Sequence, residues 1–212
     1  MFQPKPFIET DFDNTSALVR ENPLGTLILS GNGEFEVNHL PFVLDTENVE
    51  GFRLRAHIPK ANPLAEILGS KAIPCVAIFQ GANGYITPTW YATKQKHGKV
   101  VPTWNYAVVH VHGHISLVED TSGLIQQLND LTAQNEAERE KQWQVSDAPA
   151  EYTRKQLSFL LGIEILSSKI EAKTKASQNQ PTENRESVFA SLNSEQPGSD
   201  LANMVEAANK CS

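Results

Sequence analysis

Four short stretches of this chain carry residue types whose spacing could do chemistry. The first is Arg55-Ala56-His57-Ile58-Pro59-Lys60-Ala61-Asn62. Alternate side chains of a strand share a face, so Arg55 and His57 would point the same way, with Lys60 and Asn62 in the turn beyond, at the start of a helix. A phosphate needs fixed donors, a positive field and preferably helix N-terminal amides, and this stretch offers all three. The competing reading is an exposed strand with ordinary surface charge. The second stretch is Val101-Pro102-Thr103-Trp104-Asn105-Tyr106, preceded by Thr87-Pro88-Thr89-Trp90-Tyr91. Proline inside a strand belongs at an edge or an irregularity. Clustered aromatics beside freed backbone amides suit a flat ring system, or else plug a barrel end or line a subunit interface.

The third stretch is His110-Val111-His112-Gly113-His114. Three imidazoles at i, i+2 and i+4 could ligate zinc or another transition metal, but they are spread along a strand and no Cys, Asp or Glu is interleaved. A polar strand face is the better reading, and no bound metal is expected. The fourth stretch is Lys173-Thr174-Lys175-Ala176-Ser177-Gln178-Asn179-Gln180. Its lysines and amides could reach an anionic or hydrogen-bonding ligand, or could simply end a strand in solvent. The chain contains no P-loop, His-Glu-x-x-His, Gly-x-Ser-x-Gly or Cys-x-x-Cys motif. Glu34, Glu36, Asp45 and Glu47 show no spacing that singles out a carboxylate pair.

The elements that must position these residues are mostly strands. Thr10 is expected to cap a helix starting near Asp11, which Asn22-Pro23 ends. Gly25–Ser30 and Phe35–Leu44 read as a hairpin around Gly31-Asn32-Gly33. Gly51–Ile58 alternates, with Phe52, Leu54, Ala56 and Ile58 on one face. A short helix is expected at Asn62–Leu68, strands at Ile73–Gln80 and Gly84–Tyr91, a polar, basic loop at Thr93–Lys99, and a long strand at Val100–Val118, bent near Pro102. Asp120 or Thr121 then caps an amphipathic helix carrying Leu124, Ile125, Leu128 and Leu131. Trp143 falls in a loop. Pro149 opens a helix that ends in Phe159-Leu160-Leu161 and stops at Gly162, and a last strand runs from Ile163 towards Lys175. From Gln178 the chain turns polar, with two weak helical stretches at Ser187–Leu192 and Leu201–Ala208. This extension would pack on a partner subunit or be mobile. Six or seven short-spaced strands, with no βαβ alternation and no Gly-rich strand-to-helix fingerprint, predict an antiparallel barrel of the α+β class and argue against a Rossmann site.

A chain of 212 residues suits one domain, or one domain and a tail. It can bury roughly 70% of its unfolded surface, so it needs no disulfide or structural metal. Cys75, in an apolar run, and Cys211, the penultimate residue, read as unpaired, which fits a reducing, cytoplasmic compartment. Met1–Pro6 has no basic region followed by an apolar stretch, so no signal peptide is expected, and no apolar run is long enough to span a membrane. The net charge of −7 argues against a broad nucleic-acid footprint. Lys94, Lys96, His97 and Lys99 are the compact basic candidate for direct DNA contact, and a solvated lid is the alternative.

Several runs together are similar to one known family. They are Met1-Phe2-Gln3-Pro4-Lys5-Pro6-Phe7, Asn22-Pro23-Leu24-Gly25-Thr26-Leu27, Asn38-His39-Leu40-Pro41-Phe42, Arg55 to Pro63, Tyr85 to Tyr91, Lys99 to His112, Trp143 to Pro149 and Ser177-Gln178-Asn179. In order and density they resemble the PaiB-like proteins over about residues 1 to 192. The resemblance implies an FMN-binding split barrel, related to pyridoxamine-phosphate oxidases and flavin reductases, which forms a homodimer with FMN at the subunit interface. It implies a negative transcriptional regulator of bacterial type; the alternative is a flavin-dependent oxidoreductase, using NAD(P)H or handling haem as some of the wider group do. Carried over by position, Arg55, His57, Lys60 and Asn62 would contact the phosphate and ribityl chain, and Thr103, Trp104 and Asn105 the ring or ribityl chain. Lys175, Gln178 and Asn179 would reach the flavin from the second chain, and Asn38 and His39 would line the floor. Gln180 departs from the family, which often carries arginine after the Ser-Gln-Asn run. Residues 1–178 are expected to form the flavin-binding domain and 179–212 a helical extension or tail. The resemblance assigns no catalytic residue.

Overall fold

The computed structural model describes residues 1–31, 33–47, 49–69, 71–118 and 120–210. The readings of Asn32 as a turn residue and of Cys211 as a free thiol fall outside the described residues. Strands form at β1 (Ile8–Glu9), β2 (Leu24–Gly31), β3 (Glu34–Pro41), β4 (Val43–Asp45), β5 (Arg53–Pro59), β6 (Ile73–Ile86), β7 (Thr103–Val118) and β8 (Leu160–Lys175). Helices form at α1 (Phe12–Glu21), α2 (Pro63–Leu68), α3 (Lys94–His97), α4 (Thr121–Glu136), α5 (Ala150–Leu157), α6 (Thr182–Glu195) and α7 (Asp200–Lys210). One eight-stranded sheet has the order β3-β2-β6-β7-β8-β5-β4, with β1 paired to β8. The chain divides into a central unit, residues 19–79 and 110–170, and a terminal unit, residues 1–18, 80–109 and 171–212. Strands β6, β7 and β8 each contribute to both.

In the central unit the alternation of β5 sets the geometry. Phe52, Leu54, Ala56 and Ile58 are wholly buried, while Arg53, Arg55 and His57 take the opposite face. β5 pairs antiparallel with β8, Leu54 opposite Ile165 and His57 opposite Gly162, and with β4, Val43 opposite Arg55. Phe42 and Phe79 meet edge-on in the core, ring centroids 5.7 Å apart. Gly25 permits this, because a Cβ there would lie 2.7 Å from the Phe79 ring. The expected single return strand is two, β3 and β4. Phe42 breaks it by turning its N–H to Pro23 O at 2.9 Å. The helix expected to run through Leu161 instead ends at Leu157. Leu160, Leu161 and Gly162 pair with Pro59, Ile58 and His57, so strand pairing overrides the local helical signal.

In the terminal unit Asp11, not Thr10, caps α1, accepting from Asn14 N at 2.9 Å. The strand expected to break before Gly84 continues to Ile86, and a 3-10 turn over Pro88–Trp90 follows. The loop expected at Thr93–Lys99 contains one helical turn, closed by Gly98 at φ 66°. The C-terminal extension forms α6 and α7. Their Val188, Leu192, Leu201, Ala202 and Val205 are buried against Ile86, Tyr91 and Ala176.

Candidate functional site

The residues singled out on the sequence fall into two groups, one in each unit. In the central unit Arg55 is held by three charge-assisted bonds. Its Nε and Nη2 donate to Asp45 at 2.5 and 2.7 Å, and Nη2 also donates to Asp130 at 2.8 Å. The bond to Asp45, opposed by burial and aided by Asp130, holds the guanidinium above its ordinary pKa. Next on that face, His57 Nδ1 lies 3.0 Å from Gln127 Oε1 of α4, which puts the ring proton on Nδ1. Gln127 Nε2 is buried without a partner among the described residues. Arg53 pairs with Glu164 at 2.9 Å. Asp45, Arg53, Arg55 and Gln127 line a cleft of about 370 Å³, which also takes in Arg20 and Glu47. Its positive side chains are largely answered from within. The field offered by Arg55 is therefore neutralised twice over, and Lys60 is left as the exposed cation of the predicted cradle, with no ion pair among the described residues. Asn62 caps α2 through Leu64 N and donates to Asn38 Oδ1 at 2.8 Å, so these two predicted residues do meet. His39 is exposed on β3, with Nδ1 3.1 Å from Thr26 Oγ1.

In the terminal unit the end of β8 and the start of β7 come together. Lys175 donates to Thr103 Oγ1 and lies 5.9 Å above the Phe7 ring. It has no carboxylate partner among the described residues. Burial lowers its pKa, Lys173 lowers it further, and Tyr106 acts in the opposite sense. Lys173 is itself buried, 5.0 Å above the Tyr106 ring. Asn105 is wholly buried. It donates to Ser177 Oγ at 2.9 Å and leaves Oδ1 without a hydrogen-bond partner among the described residues. Trp104 is 55% exposed and stands edge-on to Tyr85, centroids 6.3 Å apart. Gln178 folds back on its own turn, accepting from Ala176 N at 2.6 Å and donating to Thr174 O at 2.5 Å. Asn179 is exposed. Ser177 takes φ 65°, a conformation that non-glycine residues rarely hold and that collects at ligand sites.

Sequence reasoning misses three contributors: Asp45 and Asp130, which answer Arg55, and Asn184, which anchors the loop around Thr93. On the sequence Asp45 is one of several carboxylates whose spacing singles out no pair, and its pairing with a residue of the neighbouring strand leaves no local signal. The histidines His110 and His112 share a face of β7, with ring centroids 6.2 Å apart, and His114 is exposed.

Comparison with known proteins gives these groups a context. The family described as "Putative FMN-binding domain" matches residues 1–169. The chain belongs to this FMN-binding family. An uncharacterised protein of Emericella nidulans is 34% identical, over 89% of each chain. The protease synthase and sporulation protein PAI 2 of Bacillus subtilis is 26% identical over 97% of each, which bears out the PaiB-like resemblance. Among solved structures, the FAD and heme binding protein of Mycobacterium smegmatis superposes with a TM-score of 0.58 at 16% identity, covering 79% of this chain and 72% of that one. The flavocytochrome Anf3 of Azotobacter vinelandii gives 0.55 at 17% identity, covering 79% and 68%. These likenesses show the expected fold, a mixed α+β split barrel with an antiparallel sheet, of eight strands among the described residues rather than six or seven. No helix among the described residues is long and apolar enough to cross a membrane.

Proposed function

We propose that this protein binds FMN as a homodimer and works as a flavin-dependent regulator in which the cofactor, rather than a DNA-reading surface, is the functional element. The observation that carries the reading is the terminal-unit group. Lys175 is a partly desolvated ammonium with no carboxylate partner among the described residues, and Asn105, two positions beyond its partner Thr103 on β7, leaves a buried acceptor unused. Such groups fit a ligand that brings both negative charge and polar ring edges. Lys175, Thr103 and Asn105 would hold the flavin, with Trp104 supplying an aromatic face and Gln178 and Asn179 the following turn. Lys60, Asn62, Asn38 and His39 of the central unit would supply donors for the phosphate and ribityl chain, while Arg55 and His57 brace that strand through Asp45, Asp130 and Gln127. Drawing the two groups from different subunits of a dimer would bury the cofactor at their interface. A bound flavin supplies one- and two-electron redox chemistry, and the protein's part is to bind and orient it and to exclude water.

The resemblance to PAI 2 motivates the regulatory role, and the charge distribution favours an indirect one. The net charge is −7, and Lys96 of the basic turn is spent on Glu183. A flavin-dependent oxidoreductase, using NAD(P)H or handling haem, is the second reading, and the likeness to two flavin proteins named for heme or cytochrome motivates it. The visible spectrum of the freshly purified, untagged protein, with the mass of whatever heat releases, tests the cofactor. A flavin spectrum with the mass of FMN is expected. A colourless protein that fails to take up added FMN refutes it, and the mass of FAD would replace it. Bleaching of the bound flavin by NADH or NADPH at a catalytic rate would favour the oxidoreductase.

A further inference from the structure

Asn184, in the first turn of α6, is 2% exposed and uses both ends of its side-chain amide. Oδ1 accepts from the backbone N–H of Thr93 at 3.0 Å, and Nδ2 donates to Gln180 Oε1 at 3.3 Å. Gln180 N donates to Ser177 O at 2.9 Å, and Ser177 Oγ accepts from Asn105 at 2.9 Å. A single hydrogen-bonded line therefore runs from the Thr93 turn through Asn184 to the turn after β8 and on to Asn105. The orientation of the amide is fixed. A backbone N–H can only donate, so Oδ1 must face Thr93, and Nδ2 then needs an acceptor. Gln180 Oε1 provides it, whereas an arginine at that position would set donor against donor. α6 adds parallel ties to the same segment: Ala92 N donates to Ser187 Oγ at 3.1 Å, Trp90 Nε1 to Glu195 at 3.1 Å, and Lys96 pairs with Glu183.

We propose that Asn184 is a positioning residue for the cofactor. From a helix lying beyond the residues matched to the family, it sets the Thr93 turn and the strained Ser177–Gln180 turn against each other, so that Asn105 and Lys175 keep the placement needed to receive FMN. This rests on the FMN reading above. The C-terminal helices are thus part of the site's scaffold rather than an appendage, and Gln180 is committed to Asn184 rather than to a ligand.

The test compares Asn184→Ala, Asn184→Asp and Gln180→Arg in the full-length protein, by FMN titration, the visible circular dichroism of bound FMN, and amide hydrogen exchange over residues 90–98 and 177–180. Asn184→Ala and Gln180→Arg are expected to speed exchange in both segments, to change the flavin dichroism and to weaken FMN binding roughly tenfold, as the loss of one buried hydrogen bond implies. Asn184→Asp keeps an oxygen for Thr93, and Gln180 can turn its amide to meet the other oxygen, so this variant should stay close to the parent protein. Wild-type affinity and dichroism in Asn184→Ala would overturn the proposal and leave Asn184 a packing residue. So would failure of Asn184→Asp to rescue. If Asn184→Ala does not fold, Gln180→Arg and Asn184→Asp decide the matter. If the parent protein takes up no FMN, the cofactor reading fails on that result alone. The exchange comparison then still decides whether Asn184 fixes the two turns, and unchanged protection would overturn that as well.

Discussion

Replacing Lys175 with methionine should strengthen the cofactor-free protein and weaken the loaded one. Methionine keeps the apolar stem over Phe7 and removes only the ammonium. In the free protein that ammonium is disfavoured chiefly by burial; Tyr106 opposes the effect and Lys173 adds to it, and the net result lowers its pKa from the ordinary 10.5. Folding therefore works against this charge at neutral pH. Between the lowered value and 10.5 the unfolded chain binds more protons than the folded one, so stability should rise with pH across that window. Below the window both states are protonated and the penalty is constant. Lys175→Met abolishes the rise, and at neutral pH it should leave stability equal or higher, the lost bond to Thr103 being offset by the relieved charge. FMN reverses the sign, because an anion beside Lys175 favours the protonated form. Affinity in the parent protein should then fall as pH rises through the window, and the variant should bind roughly 10- to 100-fold more weakly, as expected for one charge-assisted bond of about 1.5–3 kcal/mol. Thermal melts from about pH 7 to 11 with and without FMN, together with fluorescence titration, measure all of this. A variant that binds FMN as tightly as the parent, or that melts far lower without FMN, would refute the reasoning: the first result removes Lys175 from the site, and the second makes it a structural cation.

Arg55→Met should cost about 1–3 kcal/mol in urea unfolding, less than for a fully buried pair, since Asp45 and Asp130 are 28% and 38% exposed and can rehydrate. Its effect on FMN affinity should be smaller than that of Lys60→Ala, and the reverse order would return the phosphate contact to Arg55. Gly113→Ala should cost about 3 kcal/mol or more, because its Cβ would lie 2.2 Å from the backbone oxygen of Leu166, and a loss under about 1 kcal/mol would show that β7 and β8 can part there. Burial pushes the Cys75 thiol up to about 12, so in a Cys211→Ser background iodoacetamide at about pH 8 should leave the native protein unmodified and label the unfolded chain; fast native labelling would contradict this.

The strand content is legible in the sequence because burial imprints a two-residue period. Phe52, Leu54, Ala56 and Ile58 read as one face from their alternation alone, and all four are wholly buried. The ends of elements are less legible, because they depend on distant partners. Leu160 and Leu161 look helical beside the preceding turn, yet Pro59 and Ile58 draw them into a strand. The segment after Gln178 reads as weakly helical and polar because its buried stripe is narrow. Val188, Leu192, Leu201 and Val205 find their partners in Ile86 and Tyr91, about a hundred residues earlier in the chain.

The candidate site shows the same limit in its charges. A sequence displays cations but not the groups that answer them. Arg55, His57 and Lys60 look alike as donors for a phosphate, yet Asp45, ten positions away, and Asp130, 75 positions away, neutralise Arg55, and Gln127 engages His57. Lys173-Thr174-Lys175 is the weakest of the four signals, and it holds an ammonium that burial has partly stripped of water and that no carboxylate among the described residues pairs with. Desolvating a charge without pairing it is unfavourable in the free protein, and the proposed ligand would supply the missing partner. An anion site is located by what remains after the internal counter-ions are counted, and by that measure the charge of the proposed cofactor would be met at Lys175 and Lys60 rather than at the arginine that the motif puts first.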